Sequence, residues 1–412
     1  MSVHRARFWG NYLREYGWNP IILTVDEAYY EENLDYNLSK LLPSDLRVEK
    51  VKALKITKPR LIGDVGLRGL IQMYKRAYEI IKNEKIDFIL ITIPSFYLAL
   101  LGRRLHDATG INYGIDYQDP WIYKLPVSNK IFSRHWIASK FSRILEPYAV
   151  KKARLITGVA TSYFQGVVKR NPYLNQTALF KALPFGTDLD DHTKIKDIDI
   201  KGYCFKENSK AIKLVYAGTL LPKAYEPLEM VFKSLQEHKN ELEEVEIYFI
   251  GSGRHPNDLE GFNVKPMAEK YGLWQNVIFE TPQRIPYLDV LKHLDIADGI
   301  FILGSTEPHY TPSKVFQGIA SKKPIFAILH EESTAVNIIE QTRSGTCLTF
   351  KGEKHTNDIY LNFFNAFLKF TKSISQFNPD TVSYTEFEKY SAKNLTGQLA
   401  EKLDRIIPDI RV

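Results

Sequence analysis

Cysteine is scarce. The 412 residues hold two, Cys204 and Cys347. Two thiols build no disulfide framework, and neither stands in a metal-ligand spacing, so a disulfide-stapled scaffold and a cysteine-based metal centre are excluded. Long apolar runs are missing as well. None reaches the roughly 18 residues of a membrane span, and the best candidate, residues 86–101, is interrupted by Asp87, Pro94 and Ser95 and reads as a strand followed by a helix. The opening residues, MSVHRARFWGNYLREYGW, are polar and amphipathic rather than a charged cap before an apolar run, so no secretory signal is read there. The expected location is the cytoplasm. Zinc-finger spacing and RNA-stacking signatures are also missing, which removes nucleic acid as an expected partner.

What is present is ordinary globular material, 44% hydrophobic and 25% charged, in a length that suits two domains. Aromatics reach 13%, with 24 Tyr and 23 Phe; these serve packed cores and sugar-facing walls equally well. The net charge of +7 is uneven: up to Gly186 there are 28 Lys and Arg against 16 Asp and Glu, and acidic residues predominate thereafter. The first half should attract anions more than the second.

Short β-rich runs alternate with longer helical patterns, which implies parallel sheets covered by helices. In the first half the strands fall at 20–25, 87–93, 111–116 and 155–160, with helices over Gly66 to Asn83, Phe96 to Ala108 and Asn129 to Lys152. The last carries Phe132, Trp136, Ile137, Phe141, Ile144, Leu145 and Tyr148 on one stripe and Lys130, Arg134, Lys140 and Arg143 beside it. The ordinary reading is a core-facing stripe with a wet basic side; a membrane-surface helix is the alternative. A turn-rich linker over Leu183 to Gly202 precedes a second, stronger series of apolar strands beginning at 213, 245, 276, 299, 324 and 346. Residues 384–407 read as one long amphipathic helix.

Ligands of open α/β sheets sit beyond the carboxyl ends of the strands. Three loops of the second half fall there: Gly218-Thr219 followed by Lys223, Gly251-Ser252-Gly253, and Tyr310-Thr311-Pro312-Ser313-Lys314, where Pro312 and Ser313 open a helix. Glycines let backbone N–H groups approach a phosphate, and a helix N-terminus adds partial positive charge. Lys223 and Lys314 can neutralise a diphosphate. Asp188-Leu-Asp190 looks like a metal-binding Asp-x-Asp pair but lies in the linker, where it reads as turn chemistry, as does Asp197-Ile-Asp199.

The segment TPSKVFQGIASKKPIFA from Thr311 resembles the nucleotide-sugar loop and helix of family 4 of the retaining glycosyltransferases, enzymes of the GT-B fold. VYAGTL from Val215 and IGSG from Ile250 resemble its other landmarks, as do YLREYGWNPIILT from Tyr12, DYQDPW from Asp116, EPYAVKKARLITGVA from Glu146 and LPFGTD from Leu183. The resemblance implies an α/β protein of two Rossmann-like domains facing across a cleft: residues 1–186 on the acceptor side, 187–385 for the nucleotide sugar, and a C-terminal helix over 386–412 packing back towards the first. It implies that Thr219 and Lys223 hold the donor diphosphate, with Gly218, Gly251 and Gly253 lining it. Thr311, Pro312, Ser313 and Lys314 would contact its oxygens, Arg284 the base, and Gln317 the ribose. Asp119 would act on the acceptor side, and Asp119 and Lys223 are the catalytic candidates. No metal or other cofactor is implied. The expected partners are a nucleoside-diphosphate sugar and a polysaccharide or lipid-linked acceptor, with peripheral membrane contact through the basic first half.

The sequence departs from the family at two places. Gln317 stands where a glutamate is usual, keeping one acceptor oxygen without the charge. The family's first strand and its loop are missing ahead of the helix near Val3. Without that central strand two buried strands would face each other across about 9–10 Å. The expectation is a chain begun downstream of its gene start, or a malformed first domain that handles acceptor worse than donor. Two other readings stay open: a nucleotide-sugar epimerase using Glu307 and His309 for proton transfer, and a non-catalytic nucleotide-binding paralogue.

Overall fold

The computed structural model describes residues 2–56, 62–122, 134–195, 202–241, 245–255, 258–308 and 310–408. Asp197, Asp199, His309 and the first turns of the helix read from Asn129 lie outside them. The chain divides into two compact units. One comprises 1–34, 42–185 and 392–412; the other comprises 35–41 and 186–391.

In the first unit, helix α1 (Ser2–Tyr12) leads to strands β1 (Ile21–Val25) and β2 (Arg47–Val51), then α2 (Val65–Asn83), β3 (Phe88–Ile93), α3 (Ala99–Thr109), β4 (Asn112–Tyr117), α4 (Arg134–Val150), β5 (Leu155–Gly158), α5 (Thr161–Arg170), α6 (Leu174–Thr177) and β6 (Leu179–Ala182). Among the described residues the sheet is in two pieces: β1 pairs only with β2, and β3–β6 form a parallel set of four. Alternation along β3 sends Ile89, Ile91 and Ile93 to one core and Phe88 and Leu90 to the other, as a strand covered on both faces requires. Trp9 of α1, Leu13 just past its end, and Leu395, Leu399 and Leu403 of the C-terminal helix cover the second face. The main buried polar group is an ion pair. Arg5 of α1 donates to both carboxylate oxygens of Asp116 on β4 (3.1 and 3.0 Å) and to the Pro184 carbonyl (2.8 Å). Thr157 of β5 donates to the same carboxylate (2.6 Å).

The second unit contains α7 (Leu189–Lys194), β7 (Ile212–Ala217), α8 (Tyr225–Glu237), β8 (Val245–Ile250), α9 (Lys265–Lys270), β9 (Ile278–Thr281), α10 (Tyr287–Ile296), β10 (Gly299–Leu303), α11 (Lys314–Ala320), β11 (Ile325–His330), α12 (Thr334–Thr342), β12 (Gly345–Phe350), α13 (Asn357–Ser373) and α14 (Tyr384–Glu388). Its parallel sheet is continuous, in the order β12-β11-β10-β7-β8-β9. Leu214, Ile247, Phe301 and Phe326 pack against α8 and α13 on one face; Val215, Tyr248, Ile302 and Ala327 pack against α10, α11 and α12 on the other. That is the doubly wound arrangement, and it points the carboxyl ends of β7, β8 and β10 to one edge.

Two expectations fail. Residues 384–407 are not one helix: α14 ends at Glu388 and the C-terminal helix runs Ala392–Ile406. Between them Tyr390 accepts from the Thr187 amide (3.3 Å) and Ser391 bridges Thr187, so this backbone pairs sideways instead of continuing a helical turn. Nor does α4 turn the whole of its apolar stripe inward, although Leu145 packs on the core. Ser142, Glu146, Ala149 and Val150 are buried, while Ile137, Phe141, Ile144 and Tyr148 are exposed. Glu146 is anchored by two 2.7 Å bonds from Arg170, and this fixes the helix's inner face. Asp188 does perform turn chemistry: its side chain caps α7 by accepting from the Asp190 amide.

Candidate functional site

The carboxyl edge of the second sheet gathers the loops singled out by sequence. Gly218 follows β7 with φ +117°, a conformation that side chains rarely adopt. A Cβ there would stand 3.0 Å from Cε of Lys314, so the glycine makes room for that lysine. Lys314 Nζ lies 3.3 Å from the Thr219 carbonyl and 4.5 Å from the Tyr216 ring centroid. Among the described residues no carboxylate pairs with it. Burial lowers the amine to about 8, because a charged group that loses water without gaining a counter-ion favours its neutral form.

Thr219, Gly251, Gly253 and Arg284 line one hollow together with Arg254 and Pro282; its volume is about 60 Å³. Gly251 has φ +69°, and a Cβ on Gly253 would stand 2.5 Å from the Pro282 carbonyl. The expected role of the glycine amides needs correction. Those of Gly218, Gly251 and Gly253 donate to the carbonyls of Ile250, Thr281 and Pro282 (2.7, 2.8 and 2.9 Å). They close the loops onto neighbouring strand ends and are not turned towards a ligand. Charge for an anion therefore comes from side chains.

Lys223 stands 3.7 Å from Glu307, and its carbonyl receives the Thr306 amide (3.1 Å), which ties the first loop to the third. It does not line the hollow. Thr311 and Thr334 share a hydroxyl hydrogen bond of 2.5 Å. Pro312 is buried and accepts from the Val315 amide. Ser313 precedes α11 without a side-chain capping bond. Helix α11 has only seven residues, so its dipole is a weaker source of charge than Lys314. Gln317 donates from its amide to Tyr287 Oη (3.1 Å), which donates to Asp191 (2.9 Å). Its Oε1 is enclosed, faces half-buried His192 and has no well-aligned partner. Desolvation holds His192 below its ordinary pKa.

Asp119 belongs to the other unit, just past β4. Desolvation raises its carboxyl above the usual range, although the side chain keeps contact with solvent.

Sequence reasoning passed over Glu280. Its carboxylate receives Ser252 Oγ (2.7 Å) and the amides of Asn263, Val264 and Lys265 (3.0, 2.9 and 2.8 Å). It thus locks the Gly251–Gly253 loop to the start of α9. An acidic residue ending an apolar strand at a loop edge was the available signal. Arg254, also overlooked, sits one residue past that glycine pair. A larger hollow of about 660 Å³, lined by Lys206, Lys210, Lys239, Glu246 and others, lies at the amino ends of β7–β9. That is the wrong edge for a ligand of such a sheet.

No family model matches the chain, and no curated protein matches it in sequence. Solved structures do match its fold. A glycosyltransferase from Rickettsia africae superposes with TM-score 0.62 at 16% identity, over 99% of this chain and 95% of that one. Anabaena HepE in complex with UDP and glucose gives 0.62 at 12% identity, over 97% and 95%. The UDP-forming trehalose-phosphate synthase of Burkholderia xenovorans gives 0.56 at 11% identity, over 82% and 80%. The chain therefore has the α/β fold of GT-B proteins, with two Rossmann-like units.

Proposed function

We propose that this protein is a glycosyltransferase that takes a glycosyl group from a nucleoside-diphosphate sugar bound by the second unit. The observation that carries this is Lys314: a half-buried cation with no carboxylate among the described residues, seated against Gly218 and Thr219 at the ligand edge of the sheet. A diphosphate supplies the missing counter-charge. The fold neighbours agree: the Anabaena protein was crystallised with UDP and with UDP-glucose.

In this reading the bond between the anomeric carbon and the diphosphate oxygen breaks, and Lys314, Lys223 and Arg254 stabilise the charge left on the departing diphosphate. The acceptor hydroxyl attacks on the same face and gives its proton to that diphosphate, which retains the configuration. Removing one such donor typically costs about 3–4 kcal/mol of transition-state stabilisation. Lysine charge replaces a metal. Gln317, held through its amide by Tyr287, borders the ribose, Arg284 contacts the base, and Asp119 orients the acceptor, a polysaccharide or lipid-linked glycan. The basic first unit holds the enzyme at an anionic membrane face.

Lys314→Met tests the reading. UDP affinity measured by calorimetry should fall about a hundredfold, near 2.7 kcal/mol, and added chelator should change nothing. Unchanged UDP affinity in the variant would sink the proposal. Tight donor binding without glycosyl transfer to any acceptor would instead favour a non-catalytic nucleotide-binding protein. That second reading draws on the engagement of the Gln317 amide with Tyr287.

A further inference from the structure

Helix α4 carries four large apolar residues on the outside. Ile137, Phe141, Ile144 and Tyr148 follow one another at spacings of four, three and four, which is one stripe of a helix. They are 40%, 56%, 71% and 40% exposed. Four large apolar side chains in line are not the scattered singles of an ordinary surface. The exposed charges of the helix itself share one sign; the nearby exposed Asp107 of α3 is paired with Arg103, whose guanidinium lies 5.0 Å from the Tyr148 ring centroid. Lys140 and Arg143 are exposed on the helix, as is Lys151 just past its end. The helix's one acidic residue, Glu146, is buried and bound to Arg170. Lys140 Nζ stands 5.4 Å from the Trp136 ring centroid, so an indole accompanies the cation at the stripe's edge.

From this we infer that α4 is a membrane-docking helix that lies in the headgroup plane of an anionic bilayer, with Phe141 and Ile144 entering the acyl boundary and Lys140 and Arg143 on lipid phosphates. A helix with an apolar face, a cationic flank and no exposed acid of its own has the composition that interfacial helices use. A second copy of the same face is a poor occupant, because a two-fold contact would bring Lys140, Arg143 and Lys151 against like charges. The inference rests on the proposed membrane-face location and assigns it to one element.

The experiment is flotation of the full-length protein with phosphatidylcholine vesicles, with and without phosphatidylglycerol. The wild type should float with the anionic vesicles and release at high salt. Ile144→Asp and Phe141→Asp should each lower the bound fraction about tenfold or more, and Lys140→Glu combined with Arg143→Glu should do the same. Leu361→Asp, at an exposed apolar position of α13 in the other unit, should float as wild type does. Wild-type protein that stays unbound, or Ile144→Asp that binds as well as wild type, overturns the inference. So does a dimer in light scattering that Ile144→Asp dissociates while flotation is unaffected. UDP calorimetry on the same samples reports on folding and keeps the two proposals apart. Vesicle binding without UDP binding sinks the transferase reading alone, and the converse sinks this one alone.

Discussion

The two units are built on one plan and finished differently. In the second, the six-stranded sheet is unbroken; strands β8 and β10 bury every residue between two helical layers, and β7 buries its middle three. In the first, β1 and β3 belong, among the described residues, to separate pieces of sheet, and most of their residues are only half-buried. A strand covered on both faces gains from burial and from a hydrogen-bonded ladder on each edge; β1 and β3 have the ladder on one edge. The first unit then leans on side chains where the second leans on its sheet, and the Arg5–Asp116 pair is the clearest case. It joins α1 to β4 from within the core, 2% and 0% exposed.

That difference can be broken most forcefully at Arg5. Arg5→Met leaves the Asp116 carboxylate buried without its cation and should cost about 3–5 kcal/mol. Hydrogen exchange should rise over 21–25, 88–93 and 112–117 and stay level over 245–250. Equal loosening of both units would show that the contrast between them has no energetic meaning. Even in the wild type, 21–25 should exchange faster than 245–250, since edge ladders open first. A smaller effect is expected at Glu280. Glu280→Gln keeps one acceptor oxygen but sets an NH2 group against amides that already donate, so about 1–3 kcal/mol is lost. The increase in exchange should be confined to 261–268, and UDP affinity should drop with it. A loss spread across the whole second unit would mean that Glu280 supports the sheet and not the loop.

Much of the second unit was legible because strands buried on both faces read as continuous apolar runs, and β7, β8, β10 and β11 fall where such runs lie. The first unit was harder. Strand β2, RVEKV, is polar and half-exposed, and β6, LFKA, has four residues; neither carries a periodic signal above noise. In α4 the period was right and the side was wrong. A stripe in sequence says which residues lie together, but only the Glu146–Arg170 anchor says which face turns inward. The site was legible as a set of loops, because glycine and lysine at strand ends are local signals. The roles within it were not. That the amides of Gly218, Gly251 and Gly253 are spent on neighbouring carbonyls, or that Gln317 is tied to Tyr287, depends on contacts between residues tens of positions apart.

The smallest expected effect concerns where the second unit carries its cost. Its sheet is continuous, but it holds Lys314 half-buried without a carboxylate among the described residues, and burial lowers that amine from its ordinary value of 10.5 to about 8. The unfolded chain keeps the proton up to its ordinary value, so between about pH 8 and 10.5 it binds more protons at this residue than the folded chain does. Stability from this residue therefore rises with pH across that window. Binding runs the other way. A diphosphate needs the charged amine, so UDP affinity should be full below pH 8 and fall above it, by at most tenfold per pH unit. Lys314→Met should flatten both trends, leaving a protein that is weaker for UDP at pH 7.5 and no longer sensitive to alkali up to about pH 9.5. If wild-type affinity holds constant from pH 7 to 9.5, Lys314 is not the counter-ion. The strain of the second unit would then have to be sought in its loops' backbone and not in an uncompensated charge.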